Sequence, residues 1–149
     1  MRRRFVKGLT LPEVAISALV IGGAVYAAGP HYKIAVQKSK AAALKTELTL
    51  IRKAIDQFHA DTEGYPDKIE DLARETAPPI YWCRGGMMEW GTQVWNGPYI
   101  AFGEVGIGKI KNDPVSEKPY TIIRNEDGRV KVYSSAEGKD PSGTDFRDY

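Results

Sequence analysis

The chain has 149 residues, 42% of them hydrophobic and 27% charged, which gives room for one modest domain beside a long helix. Of its 21 Lys and Arg, four (Arg2, Arg3, Arg4 and Lys7) crowd the first eight residues without an acid, leaving 17 against 19 Asp and Glu in the rest of the chain, a net charge of −2 there from which no nucleic-acid-binding patch follows. The single cysteine, Cys83, excludes an intrachain disulfide and is expected as a buried or free thiol, not a nucleophile.

After the basic leader comes Gly8-Leu9-Thr10-Leu11-Pro12-Glu13, then an apolar run from Val14 to Ala28. Leu9 to Pro30 is 22 residues, and a membrane-spanning helix needs about 20. The leader's positive charge predicts an N-terminus held in the cytoplasm, with the bulk of the chain sent outward. A cleaved secretory signal peptide is not expected, because its small-residue cleavage site follows the apolar core and here the best boundary precedes it. Glu13 is the chemical exception in this run: a carboxylate at bilayer depth costs about 2.5–3.5 kcal/mol on insertion scales, so something must offset it. Thr10-x-x-Glu13 also has capping-box spacing, in which a Thr hydroxyl and a Glu side chain satisfy backbone donors at a helix start. Pro12 fits the first turn, where its missing N–H would have no intrahelical partner.

These residues resemble the processing site of the type IV pilin and pseudopilin superfamily. The match rests on Gly8 before the cut, Leu9 as first mature residue where Phe is usual, Thr10, Leu11, Glu13 as fifth mature residue and Pro30 as twenty-second. The resemblance implies that a prepilin peptidase cleaves after Gly8 and methylates the Leu9 amine. It also implies that Glu13 pairs with the N-terminal amine of a neighbouring subunit during assembly.

Beyond the apolar run the helix is expected to continue to about Ala60, bent or locally opened at Pro30. Leu44, Leu48, Ile51, Ile55 and Phe58 recur at 4-3-4-3 spacing and predict one apolar stripe. Two heptads are short for a coiled-coil seam, so the stripe is expected to pack on the chain's own C-terminal domain. His31 and His59 lie 28 residues apart, too far for a local metal pair, and are expected at the solvent or an interface. Gly64 and Pro66 end the helix. Ile69 to Arg74 then suggests a short helical piece before Pro78-Pro79 and Ile80-Tyr81-Trp82-Cys83. In the glycine-rich stretch from Gly85 to Gly97, Met87, Met88, Trp90 and Trp95 are expected to anchor the loop in the core.

Tyr120 to Arg124 and Arg129 to Tyr133 are β-branched or aromatic runs joined by Asn125-Glu126-Asp127-Gly128, a hairpin signal. The tail from Ser134 to Tyr149 is polar, aperiodic and in need of anchoring. The predicted architecture is α+β and pilin-like: a cleaved leader (1–8), the transmembrane and assembly half of a long helix (9–32), and a globular domain (33–149) whose amphipathic helix half packs on a small antiparallel sheet.

Tyr65-Pro66, Gly97-Pro98-Tyr99-Ile100, Ile110-Lys111-Asn112-Asp113-Pro114, Lys118-Pro119-Tyr120-Thr121-Ile122 and Val132-Tyr133-Ser134-Ser135 resemble, in order and spacing, the C-terminal region of the major pseudopilin of type II secretion systems. Val115-Ser116 stands where Trp-Gly commonly follows Asp-Pro, and the connection through residues 103–108 is longer than usual. This resemblance implies a calcium ion in the C-terminal loop held by aspartates and backbone carbonyls, with Asp140 and Asp145 as the favoured ligands and Asp148 as a third. A solvated acidic tail is the alternative.

No catalytic constellation is present, and the chain is expected not to be an enzyme. The favoured function is a structural subunit held in the inner membrane as a single-pass precursor. Processing by prepilin peptidase then allows it to polymerise with its own copies and other pilin-like subunits into a periplasmic or cell-surface filament, a type II secretion pseudopilus or a type IV pilus. The alternative is a monomeric membrane-anchored binding module displayed outside the cytoplasm. Glu13 separates the two, because a polymer can pair an intramembrane carboxylate and a lone anchor cannot.

Overall fold

The computed structural model describes residues 10–92, 94–102, 109–126 and 128–149, with the side chains of residues 27–30 left undescribed. It is α+β. Helix α1 spans Leu11–Thr62, two residues past the expected end, and the chain divides into a unit ending at Val36 and a unit Gln37–Tyr149. The helix stops because Glu63 turns left-handed at φ 56°. The Thr62 hydroxyl donates to the Phe58 carbonyl at 2.7 Å and accepts the Gly64 N–H at 3.1 Å, so both sides of the break are satisfied.

In the second unit every expected stripe position is in the core. Leu44, Leu48, Ile51, Ile55 and Phe58 are at most 4% exposed, and Ala41 and Ala54 extend the stripe. Full burial of one such large side chain stabilises by roughly 1.5–3 kcal/mol relative to exposure, which makes this face the main adhesive of the domain.

Two antiparallel sheets cover it, where the sequence predicts one. The first has strands β1 (Tyr65–Pro66), β2 (Ile80–Cys83) and β3 (Gly86–Glu89) in that order, with a 3₁₀ turn at Ile69–Ala73 where the short helical piece is expected. Pairing from Ile80 with Glu89 to Cys83 with Gly86 makes Arg84-Gly85 a two-residue hairpin connection. The second sheet is the expected hairpin, β4 (Thr121–Arg124) with β5 (Val130–Tyr133), registered from Thr121 opposite Tyr133 to Arg124 opposite Val130. Val130 and Val132 are buried while Lys131 is exposed, the two-residue alternation of a strand with one covered face.

The sheets stay separate because the chain between them packs aromatics instead of pairing strands. Trp90, Trp95 and Tyr99 place their rings 6.3, 6.1 and 5.6 Å from Phe58, tilted or edge-on. Trp90 and Trp95 thus anchor the loop as expected. Met87 and Met88 do not: they are 54% and 49% exposed on β3. β3 is an outer strand, and Tyr81 on β2, with its ring edge-on to Trp90, already closes that part of the core. Arg124 joins the sheets, its Nη2 donating to the Pro66 and Asp67 carbonyls at 3.2 and 3.3 Å while its guanidinium lies 4.5 Å over the Trp82 ring. Cys83 is a half-buried free thiol, and His31 and His59 are exposed.

Three polar ties hold the C-terminal half to the helix and to itself. Buried Glu47 accepts from the Tyr120 hydroxyl at 2.6 Å and pairs with Lys111 Nζ at 3.5 Å. Burial first, then the hydrogen bond and charge of Glu47, push the Tyr120 hydroxyl far above its ordinary range. Arg52 Nη2 donates to the Val132 carbonyl at 3.1 Å and to the Tyr149 carbonyl. Asp113, fully buried, accepts the N–H groups of Val115 and Ser116 at 2.7 and 3.1 Å on one oxygen, and the Ser134 hydroxyl and the Ser135 N–H on the other. Every acceptor site of that carboxylate is therefore used inside the fold.

A fragment from Lys38 onward retains the whole core and is expected to be a soluble monomer with one cooperative thermal transition. Urea titration of Leu48→Ala should show a loss of about 2–5 kcal/mol. Leu48→Asp should abolish the transition, because an unpaired charge would replace a fully buried methyl pair. A Leu48→Asp fragment that melts like its parent would show that the stripe is not core.

Candidate functional site

Thr10 is the cap of α1, with Leu11, Pro12 and Glu13 as its first three helical residues. The Val14 N–H closes the first turn onto the Thr10 carbonyl at 3.1 Å. Pro12 costs no hydrogen bond here because the first turn has no acceptors for its own donors. Half of the capping box forms: Glu13 Oε2 accepts the Thr10 N–H at 2.9 Å. The other half is replaced, since the Thr10 hydroxyl donates to that same Oε2 at 2.8 Å. Two donors converge on one carboxylate oxygen, and Oε1 has no partner among the described residues. The carboxylate is held in place and left with one open face.

Around it the helix is apolar on all sides. Leu11, Val14, Ile16, Leu19, Val20, Ile21, Val25 and Tyr26 are each more than half exposed, and these positions fall around the whole circumference of a 3.6-residue helix. Apolar surface of this kind marks a membrane or a protein interface. Between Leu11 and Tyr26, Glu13 is the only residue charged at neutral pH. Among the described residues no single helix is long and apolar enough to cross a membrane; Leu11–Tyr26 and His31–Thr62 meet the criterion only together. By itself Leu11–Tyr26 falls short of the roughly 20 residues a span needs. Gly8 and Leu9, the expected processing site, lie outside the described residues, and α1 runs on through Pro30, where a bend or local opening is expected.

The aspartates of the tail have other partners. Asp140 Oδ1 accepts the N–H groups of Ser142 and Thr144 at 2.8 and 2.9 Å, and Oδ2 accepts the Tyr149 hydroxyl at 2.5 Å; the Ser142 hydroxyl reaches both oxygens at 2.6 Å. Asp145 caps a 3₁₀ turn, Phe146–Asp148, by accepting the Arg147 N–H at 3.0 Å, and Asp148 is exposed. Among the described residues no three His, Cys, Asp or Glu side chains converge. Calcium takes six to eight oxygens, and as placed Asp140, Asp145 and Asp148 do not form such a donor set.

The tail is anchored instead by Tyr149, a residue without a role in the sequence reading. Its ring lies 4.2 Å under Lys45 Nζ and edge-on to Phe146, its hydroxyl meets Asp140, and its carbonyl meets Arg52. Two aromatics, Phe146 and Tyr149, closing an otherwise polar acidic tail are the signal that could have found it. The hydroxyls of Ser142 and Tyr149, and then the two backbone N–H groups, hold the Asp140 carboxyl well below the usual carboxylate range. Burial, followed by the hydrogen bond and charge of Asp140, pushes the Tyr149 hydroxyl up to about 12.

The pH limits of this anchor follow from those shifts. The lowered Asp140 contributes stability above the ordinary value of about 3.9, lost as pH falls through its folded value. The raised Tyr149 contributes stability below about 10, lost as pH climbs through its folded value. Asp140→Ala is expected to return the Tyr149 titration toward about 10, read from the ring carbon shifts of Tyr149. An unchanged Tyr149 titration in that variant would break the assignment.

Compared with protein-family models, curated proteins and solved structures, the chain matches none.

Proposed function

We propose that this chain is a structural subunit of a helical pilus-like filament, a secretion pseudopilus or a pilus, and not an enzyme. The observation that carries the reading is Glu13. A single carboxylate stands at the start of an exposed helix that is apolar on every side, one oxygen fixed by Thr10 and the other open. In lipid an isolated charge of this kind is unfavourable by a few kcal/mol. A cation from a second molecule offsets that cost, and the new amine of a cleaved neighbouring subunit is such a cation. A lone membrane anchor would have no use for it.

In this reading the precursor sits in the inner membrane with residues 1–8 on the cytoplasmic side. Prepilin peptidase cuts after Gly8 and methylates the amine of Leu9. Copies of the chain, with other pilin-like subunits, then pack their N-terminal helices together and carry the domain into the periplasm or to the cell surface. The long helix with antiparallel sheets over its second part is compatible with a pilin-like fold.

Processing is tested by intact mass of the protein extracted from membranes. The wild-type chain is expected to begin at a methylated Leu9, and Gly8→Val to retain the leader, since a branched side chain keeps the backbone from the peptidase. A wild-type protein still carrying residues 1–8 in cells with active peptidase would contradict the reading.

Assembly is tested by two substitutions that separate capping from charge. Glu13→Ala removes both, whereas Glu13→Gln keeps a side-chain acceptor for Thr10 and removes only the charge. Both variants are expected to insert, and both to lose filaments by electron microscopy of sheared material, because the incoming amine loses its counter-ion. Filaments of normal abundance from Glu13→Gln would reduce Glu13 to a helix cap.

A further inference from the structure

In the stretch Trp95-Asn96-Gly97, packing dictates the last two residues. Trp95 is held by three contacts: its ring lies edge-on to Phe58 and to Tyr99, and its Nε1 donates to the Arg74 carbonyl at 3.3 Å. A Cβ on residue 97 would come within 2.3 Å of that ring, so only glycine fits. Asn96 meets a different requirement. Its Nδ2 donates at 3.2 Å to Asp61 Oδ2, the oxygen that also accepts the Tyr99 hydroxyl at 2.9 Å, and this ties the loop to the last turn of α1. A carboxylate calls for a donor there, and the asparagine amide supplies one.

Together these requirements produce Asn-Gly, the pair in which a side-chain amide is most open to attack by the following backbone nitrogen, because glycine places no side chain beside that nitrogen. Asparagine is among the thermally labile residues. Of the three asparagines, Asn112 precedes Asp113 and Asn125 precedes Glu126; only Asn96 precedes a glycine. Local structure leaves the reaction open. Asn96 is exposed and lies outside every helix and strand. The Gly97 N–H has no hydrogen-bond partner among the described residues. The Asn96 amide also faces an open cleft of about 340 Å³, lined with Gln57, Asp61, Pro98 and Tyr99, through which water reaches it.

We propose that Asn96 is a site of spontaneous deamidation, and that the product releases the loop from the end of α1. The Gly97 nitrogen gives its proton to hydroxide and attacks Asn96 Cγ; the Cγ–Nδ2 bond breaks, and the amide nitrogen leaves as ammonia with a proton from water. Water then opens the resulting succinimide at either carbonyl, leaving aspartate or isoaspartate. In both products a donor to Asp61 has become a second carboxylate beside the first, and like charges that close repel. A tie becomes a repulsive contact. The inference is independent of the filament reading, since neither the leader nor Glu13 takes part.

The test is to hold the full chain in detergent micelles in warm, mildly alkaline buffer and map its peptides by mass spectrometry, with isoaspartate counted by enzymatic methylation. Asn96 is expected to gain the mass of amide-to-acid conversion, with isoaspartate among the products, while Asn112 and Asn125 keep their amides. Asn96→Gln should stop the reaction, because the longer side chain closes a larger and slower-forming ring. Asp61→Ala should speed it severalfold, because the amide loses the hydrogen bond that restrains it. Asn96→Asp reproduces one product outright. It is expected to melt below the wild-type chain by tryptophan fluorescence, and adding Asp61→Asn should remove the loss, since repulsion needs both carboxylates. An Asn96 amide still intact when a synthetic peptide of residues 94–99 has converted in the same buffer would overturn the site. Equal conversion at Asn112 and Asn125 would reduce it to general amide loss, and Asn96→Asp melting like wild type would overturn its effect on the loop.

Discussion

Burial of one face of α1 between Ala41 and Phe58 is the interaction on which the rest of the domain depends. The face is too apolar to stand in water, and a two-stranded sheet such as β4–β5 is marginal by itself. Each needs the other: the sheets supply Tyr81, Val130 and Val132 to the helix, and the helix gives them a common floor. Phe58 sits where this dependence is greatest, touching three aromatic rings that close the gap between the sheets.

How much of this was legible follows from where each signal resides. The helix stripe and the β4–β5 hairpin were readable because their period and turn residues are local. β2 and β3 were not, although Arg84-Gly85 joins them by the shortest hairpin connection. Gly86-Met87-Met88-Glu89 has weak strand propensity and no alternation, and it pairs because β2 lies beside it. β1 is two residues long, contains Pro66, and exists only through that same neighbour. At the helix start, Thr10 and Glu13 were readable as a cap by their spacing, but only the geometry shows both donors on one oxygen. The tail aspartates were visible as an acidic loop, whereas the partners of Asp140, Ser142 and Tyr149, are set by how the chain turns back.

The polar ties explain why a domain with so little regular strand keeps its shape. Asp113 uses four donors from two segments, and an ion or water would have to displace all of them to enter. Glu47 and Arg52 do the same work from the helix side, each holding a different part of the C-terminal half. Of these groups Glu47 and Asp113 are buried, and buried groups are costly to leave unpaired, so they reject alternative packings in which the apolar stripe would be equally well covered.

Arg52 also sets an order of events. Its two acceptors lie 80 and 97 residues further along the chain, and the partner of Glu47 lies 73 residues away. Contacts of such separation make folding slow. A ribosome extends the chain by roughly 5–20 residues per second, so the stripe from Ala41 to Phe58 emerges several seconds before Val130 and Val132 exist to cover it. Throughout that interval the nascent domain presents a sticky amphipathic helix to its surroundings.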